Sequence, residues 1–194
     1  MTPRNRSEHQ RLLDDALARE REAHRLLLAG EAGQARGPLR EAADLYRRSW
    51  EGAPPQAYGR LVGMLKASVL AGDPGKGAAY ARRELGDEAD SPASSYGLAL
   101  AALIAGDDEV ARRAASGMRS GSPAFERTAQ AIEALVDGDR ERYREAVAAI
   151  VADFESRPDH LTGVPIADTA LCLEKLAEAR GMATRLRSPL LPPA

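Results

Sequence analysis

The sequence predicts an all-α protein: about nine helices paired as antiparallel hairpins and stacked into a short superhelix, in a single domain over 1–194. Three observations predict it. Aromatic residues make up only 4% of the 194 positions, and the apolar remainder is rich in Ala and Leu. These are strong helix formers, while strand-favouring types are sparse. Apolar residues recur at three- and four-residue steps, the period of an amphipathic helix. Turn glycines at Gly37, Gly72, Gly106 and Gly138 follow one another at separations of 35, 34 and 32 residues.

Taken in order, Ser7-Glu8-His9-Gln10 has the form of a capping box, which opens a helix with reciprocal side-chain bonds. Leu12, Leu13, Ala16, Leu17, Ala23, Leu27 and Leu28 then trace one apolar face. Arg19, Glu20, Arg21, Glu22 and Arg25 read as the solvated face opposite. Gly30 and Gly33 weaken the following turn. Gly37-Pro38 predicts a new helix with proline in its first position, carrying Leu39, Ala42, Ala43, Tyr46 and Trp50 inward until Ala53-Pro54-Pro55. A third helix is expected from about Gln56 to Ala71. Gly72-Asp73-Pro74 then ends one helix, caps the next with Asp73 and opens it with Pro74, as far as Leu85.

Ser91-Pro92 repeats the cap-then-proline signal for a helix reaching Ala105. Gly106 stops that helix and Asp107 caps its partner, which carries Val110, Ala111, Ala114, Ala115 and Met118. Ser122-Pro123 opens another helix, Asp137-Gly138-Asp139 turns the chain, and a longer helix follows from Arg140 to about Ser156. Pro165 is expected to start a last helix that Gly181 ends. The Pro-rich tail from Met182 is expected to be extended and to pack by its leucines, with 1–6 and 193–194 flexible.

Charge and cysteine content narrow the function classes. Net charge is −2, so no basic field is expected to hold nucleic acid or an anionic membrane. Only Lys66, Lys76 and Lys175 are lysines, an Arg bias that resembles the codon usage of a GC-rich bacterial genome. The single cysteine, Cys172, allows no internal disulfide, and its apolar helix face marks it as a small buried hydrophobe. No signal-peptide pattern and no run of transmembrane length occurs, which leads to the expectation of a cytoplasmic protein.

No catalytic, metal or phosphate-binding signature stands out, so neither an enzyme nor a cofactor is expected. Asp159, His160 and Asp168 near Thr162 form a polar cluster without a ligand spacing, and Asp168 is explained by the dipole of the helix it begins.

The unit of two helices with a period near 34, a small residue five positions after the turn glycine (Ala42, Ala111) and a closing proline (Pro54, Pro123) resembles the tetratricopeptide repeat. The units around Gly72 and Gly138 depart from it at Ala78 and Tyr143. The resemblance covers about Glu22 to Ser156 and implies a groove lined by the first helix of each unit, where a partner would bind. The polar and aromatic groove positions are His24, Glu31, Lys66, Tyr96, Phe125 and Thr128, among apolar neighbours such as Leu27, Val62 and Ile132. Such an apolar groove must be covered, and the chain's own last helix is the first expectation.

The final third, from the Gly138-Asp139-Arg140 turn through Ala179-Arg180-Gly181-Met182 to Ser188-Pro189-Leu190-Leu191-Pro192, is similar to the end of the immunity-49 family of bacterial polymorphic-toxin immunity proteins. That resemblance implies a non-catalytic protein that neutralises a toxin by binding it. The alternative expectation is an adaptor or regulatory module, acting on a regulated protein or as a homodimer. A small-molecule binder using the apolar groove is the third.

Overall fold

The computed structural model describes residues 7–193. The flexibility expected for 1–6 and for 194 therefore lies outside the described residues. Among those described, all regular structure is helical: α1 (Glu8–Leu28), α2 (Ala32–Glu51), α3 (Gly59–Ala71), α4 (Gly75–Leu85), α5 (Pro92–Ala105), α6 (Asp108–Met118), α7 (Pro123–Asp137), α8 (Arg140–Glu155) and α9 (Asp168–Ala179). The first eight run as consecutive hairpins, with α3, α5 and α7 adjoining one another as a layer of first helices. The last helix leaves this alternation. It packs on α3, α7 and α8, and so lies across the inner face of that layer.

Glycine in the left-handed region does the turning. Gly72, Gly106 and Gly138 end α3, α5 and α7 with φ of 82°, 75° and 70°, a conformation that costs other residues a steric penalty. After two of these glycines an aspartate begins the next helix. Asp107 accepts from the Val110 amide at 3.2 Å, and Asp139 from the Arg142 amide at 3.1 Å. Small residues at the seams then let the helices close: Ala42, Ala99, Ala111, Ala129 and Ala134 are wholly buried. One approach is tighter still, since a Cβ on Gly63 would meet the Tyr46 ring at 2.8 Å.

Several starts differ from the sequence expectation. The first turn glycine is Gly30 (φ 79°) rather than Gly37, and Pro38 sits inside α2, which already begins at Ala32. The proline removes one backbone bond, to the carbonyl of Gln34, but that residue is exposed and water can satisfy the oxygen. Gly37, without a Cβ, relieves the clash proline imposes on its predecessor. Ser7 precedes α1 without capping it, because its hydroxyl faces the His9 ring at 2.9 Å. Asp73 makes no cap either; Pro74 holds that position. Helix α3 starts at Gly59, past Gln56, whose φ is 68°. Helix α9 starts at Asp168, three residues beyond Pro165. The lead-in buries Val164, Ile166 and Ala167, and the Ala167 amide donates to the Leu190 carbonyl of the tail at 2.9 Å. The tail is held there, with Leu186, Leu190 and Leu191 packed on the core.

Candidate pocket between the inner face and the last helix

The inner face carries a cluster of ionisable side chains that water barely reaches. Glu20 and His24 lie one turn apart on α1, which sets both on the same face. They are 2% and 1% exposed. The Tyr46 hydroxyl, from α2, donates to Glu20 Oε2 at 2.7 Å. His24 Nδ1 meets the Thr162 hydroxyl at 3.0 Å, and the Arg21 guanidinium donates to the Thr162 carbonyl at 2.6 Å, so α1 anchors the loop before α9. From α3, Lys66 forms an ion pair with Asp168 in the first turn of α9 and reaches the Thr169 hydroxyl at 3.5 Å. The side chains of that pair are 12% and 13% exposed. The N-terminal end of α9 adds favourable dipole to the carboxylate.

Burial and charge set the protonation of this cluster. Desolvation raises Glu20 to about 7, against the opposing pull of Lys66 and of the Tyr46 hydrogen bond. Desolvation lowers His24 to about 4, so the imidazole is neutral at pH 7. Burial alone would discharge Lys66 and Asp168, but their mutual attraction prevails. Lys66 is held above its ordinary value and Asp168 below its own. Cys172, fully buried nearby, is pushed up to about 12 by desolvation and stays a thiol.

This cluster floors a pocket of about 550 Å³. Apolar walls come from Leu13 and Leu17 on α1, Val62 on α3, Phe125 on α7, and Ile150 and Phe154 on α8. Tyr96 meets Phe125 edge-on at 6.2 Å, and the Arg157 guanidinium lies 3.8 Å above the Phe154 ring. Seven buried side-chain atoms lack a hydrogen-bond partner among the described residues, and four of them belong to residues that line this pocket: His24 Nε2, which lies 3.9 Å from Glu20 Oε1, the Tyr96 hydroxyl, Arg127 Nε and His160 Nδ1. Buried polar atoms are rarely left unpaired, so their concentration at one place is informative. A second pocket of similar volume, between α2, α3 and α4, holds none of them.

Five of the six groove positions named from the repeat frame line this pocket: His24, Lys66, Tyr96, Phe125 and Thr128. Glu31 does not. It is exposed at the start of α2, displaced because the first turn falls at Gly30. Of the loop cluster, His160 and Asp168 reach the pocket, while Asp159 is exposed and outside it.

Sequence reasoning misplaced Glu20, which it set on the solvated face. The signal was present in its spacing: four residues after Ala16 and four before His24, it continues a buried stripe. Tyr46 read as core and Asp168 as a helix-dipole residue, since their partners, Glu20 and Lys66, lie 26 and 102 positions away in sequence.

Ligand atoms of Glu20, His24 and Asp168 fall within 4.8 Å of one another, close enough to be compared with a metal site. The Lys66 ammonium, however, already provides the positive charge facing Asp168, and a second cation beside it would be repelled.

No helix among the described residues is long and apolar enough to cross a membrane. No family model, curated protein or solved structure matches the chain.

Proposed function

We propose that the protein is a non-catalytic binding protein that takes a small ligand into the pocket between its helical-repeat inner face and its own last helix. The observation that carries this reading is an apolar-walled pocket of about 550 Å³ whose lining includes four residues with a buried polar atom that makes no hydrogen bond. Because α9 lies on the inner face, the space left is of small-molecule size rather than a groove for a whole helix. Binding is favoured over chemistry because Glu20, though raised to about 7, is 2% exposed and held by the Tyr46 hydroxyl, His24, lowered to about 4, is a weak base near neutrality, and the thiol of Cys172 is buried and protonated.

A small-molecule library read by thermal shift tests this. At least one compound should stabilise the native protein, and that shift should vanish in Val62→Trp and in Ala124→Phe, each of which fills a half-buried wall position. A library without any stabilising compound, or shifts that persist in both folded variants, would overturn the reading.

A second reading keeps a protein partner: a toxin neutralised by binding, a regulated enzyme or transcription factor, or a second copy of the chain. One observation favours it. Leu161, on the pocket rim, is 78% exposed, the one large hydrophobic so exposed among the described residues. Co-purification with the product of a neighbouring gene should be lost in Leu161→Asp; a partner that survives that substitution removes the argument.

A further inference from the structure

We infer that the ligand of this pocket is a free amphiphile with an apolar body and a single anionic group, held by guanidinium groups of Arg60, Arg127 and Arg157. The inference rests on the small-ligand reading above and adds the chemistry of the ligand.

Charge around the pocket is unequally paired. At the floor, Lys66 and Asp168 neutralise each other, while Glu20, raised to about 7 and hydrogen-bonded by Tyr46, keeps part of its negative charge near neutrality. Farther out, three arginines face one carboxylate. Arg127 and Arg157 both pair with Asp153, so one positive charge of that group is left over. Arg60 has no carboxylate within ion-pair distance among the described residues. Its guanidinium donates to the Ser49 hydroxyl at 2.8 Å and lies 3.2 Å from His9 Nδ1. Desolvation holds Arg60 below its ordinary value, as expected of a cation kept partly from water without a counter-charge. The positive excess stands on a chain whose net charge is −2, so it is local to this pocket rather than a general property of the surface.

All three arginines line the same pocket. Arg127, a lining residue of the pocket, spends an Nη hydrogen on Asp153, while its Nε is buried without a hydrogen-bond partner. A guanidinium carries more donors than a single carboxylate oxygen takes, and the remaining Nη hydrogens are suited to a carboxylate or sulfate oxygen. Below it, the walls are Leu, Val, Ile and Phe, which would take an alkyl or ring body.

Isothermal titration of the whole chain near pH 7.5 with decanoate, decyl sulfate, decylamine and 1-decanol, each below its aggregation limit, tests this. The two anions should bind at least about ten-fold more tightly than the amine and the alcohol. Arg60→Gln and Arg157→Gln should each erode that preference while leaving 1-decanol binding unchanged, and Val62→Trp should abolish all four. Amine or alcohol binding as tight as the anions overturns the anion assignment while leaving the small-ligand reading intact. The same holds if none of the four binds although the library yields a compound sensitive to Val62→Trp. Absence of any such compound removes the small-ligand reading itself. An acetylated Leu-Leu dipeptide acid that binds more tightly than decanoate would reassign the anion to a polypeptide terminus and overturn the free amphiphile.

Discussion

Glu20 and His24 titrate in opposite senses over nearly the same interval. Burial raises Glu20 from 4.5 to about 7, so between those values the folded state holds a proton that the unfolded state has released. Stability therefore falls as pH rises through that range. Burial lowers His24 from 6.5 to about 4, so between those values the unfolded state holds the extra proton and stability rises with pH. Each shift corresponds to about 3 kcal/mol. Both side chains are nearly inaccessible, so solvent screening removes little of it. In the native protein the two slopes oppose each other between about pH 4.5 and 6.5. Lys66 and Asp168 are displaced away from that interval, upward and downward respectively. Glu20→Gln should unmask a stability that climbs by up to about 3 kcal/mol from pH 4 to 6.5, and His24→Gln one that declines by a similar amount from pH 4.5 to 7. Urea melts across pH check this. Two variants with parallel profiles would mean that the burial of this pair does not govern their protons.

At the scale of elements, helix starts separate by the chemistry of their caps rather than by residue type. Ser7, Ser91 and Ser122 each precede a helix, yet only Ser91 caps. Its hydroxyl accepts from the Ser94 amide at 3.2 Å, and the Ser94 hydroxyl accepts from the Ser91 amide at 2.9 Å. Neither Ser7 nor Ser122 makes such a bond. Ser91→Ala should cost about 1 kcal/mol in chemical denaturation, and Ser7→Ala and Ser122→Ala a few tenths at most; equal losses at all three would contradict this distinction. The same contrast shows why the fold class was readable and the starts less so. The αL glycines Gly72, Gly106 and Gly138, and the aspartates Asp107 and Asp139, act through local backbone geometry and were legible from a few residues. Ser7 was misread because His9 competes for its hydroxyl, and Gly37-Pro38 because an exposed carbonyl tolerates a proline within α2. Those outcomes depend on side-chain competition and solvent, which a local pattern does not contain.

For the whole molecule, the consequential event is the return of the C-terminal segment onto the inner face, since it turns an open repeat groove into a pocket. Repeat spacing was enough to bring His24, Lys66, Tyr96, Phe125 and Thr128 to one side. Spacing held no information on what would lie opposite them, because Thr162 and Asp168 approach across more than a hundred residues of chain. Glu20 was missed for the same reason: a carboxylate in a charge run looks solvated until a tyrosine from the next helix and a returning loop enclose it. The segment is tied down at several points. Arg180, just past the end of α9, pairs with Asp108 at the start of α6 at 2.5 Å, and the Lys66–Asp168 pair holds the other end. The second tie is the more sensitive, because each partner is almost dry and would be left as an uncompensated charge. Lys66→Met or Asp168→Leu alone should therefore destabilise by about 3–5 kcal/mol, whereas the double variant should cost far less than their sum. Hydrogen exchange distinguishes this tie from a general loss of stability. Amides of α9 and of the loop around Thr162 should lose protection in either single variant before those of α5, and should regain it in the double variant. Uniform loss along the chain, or additive single costs, would mean that Lys66 and Asp168 do not hold the pocket closed.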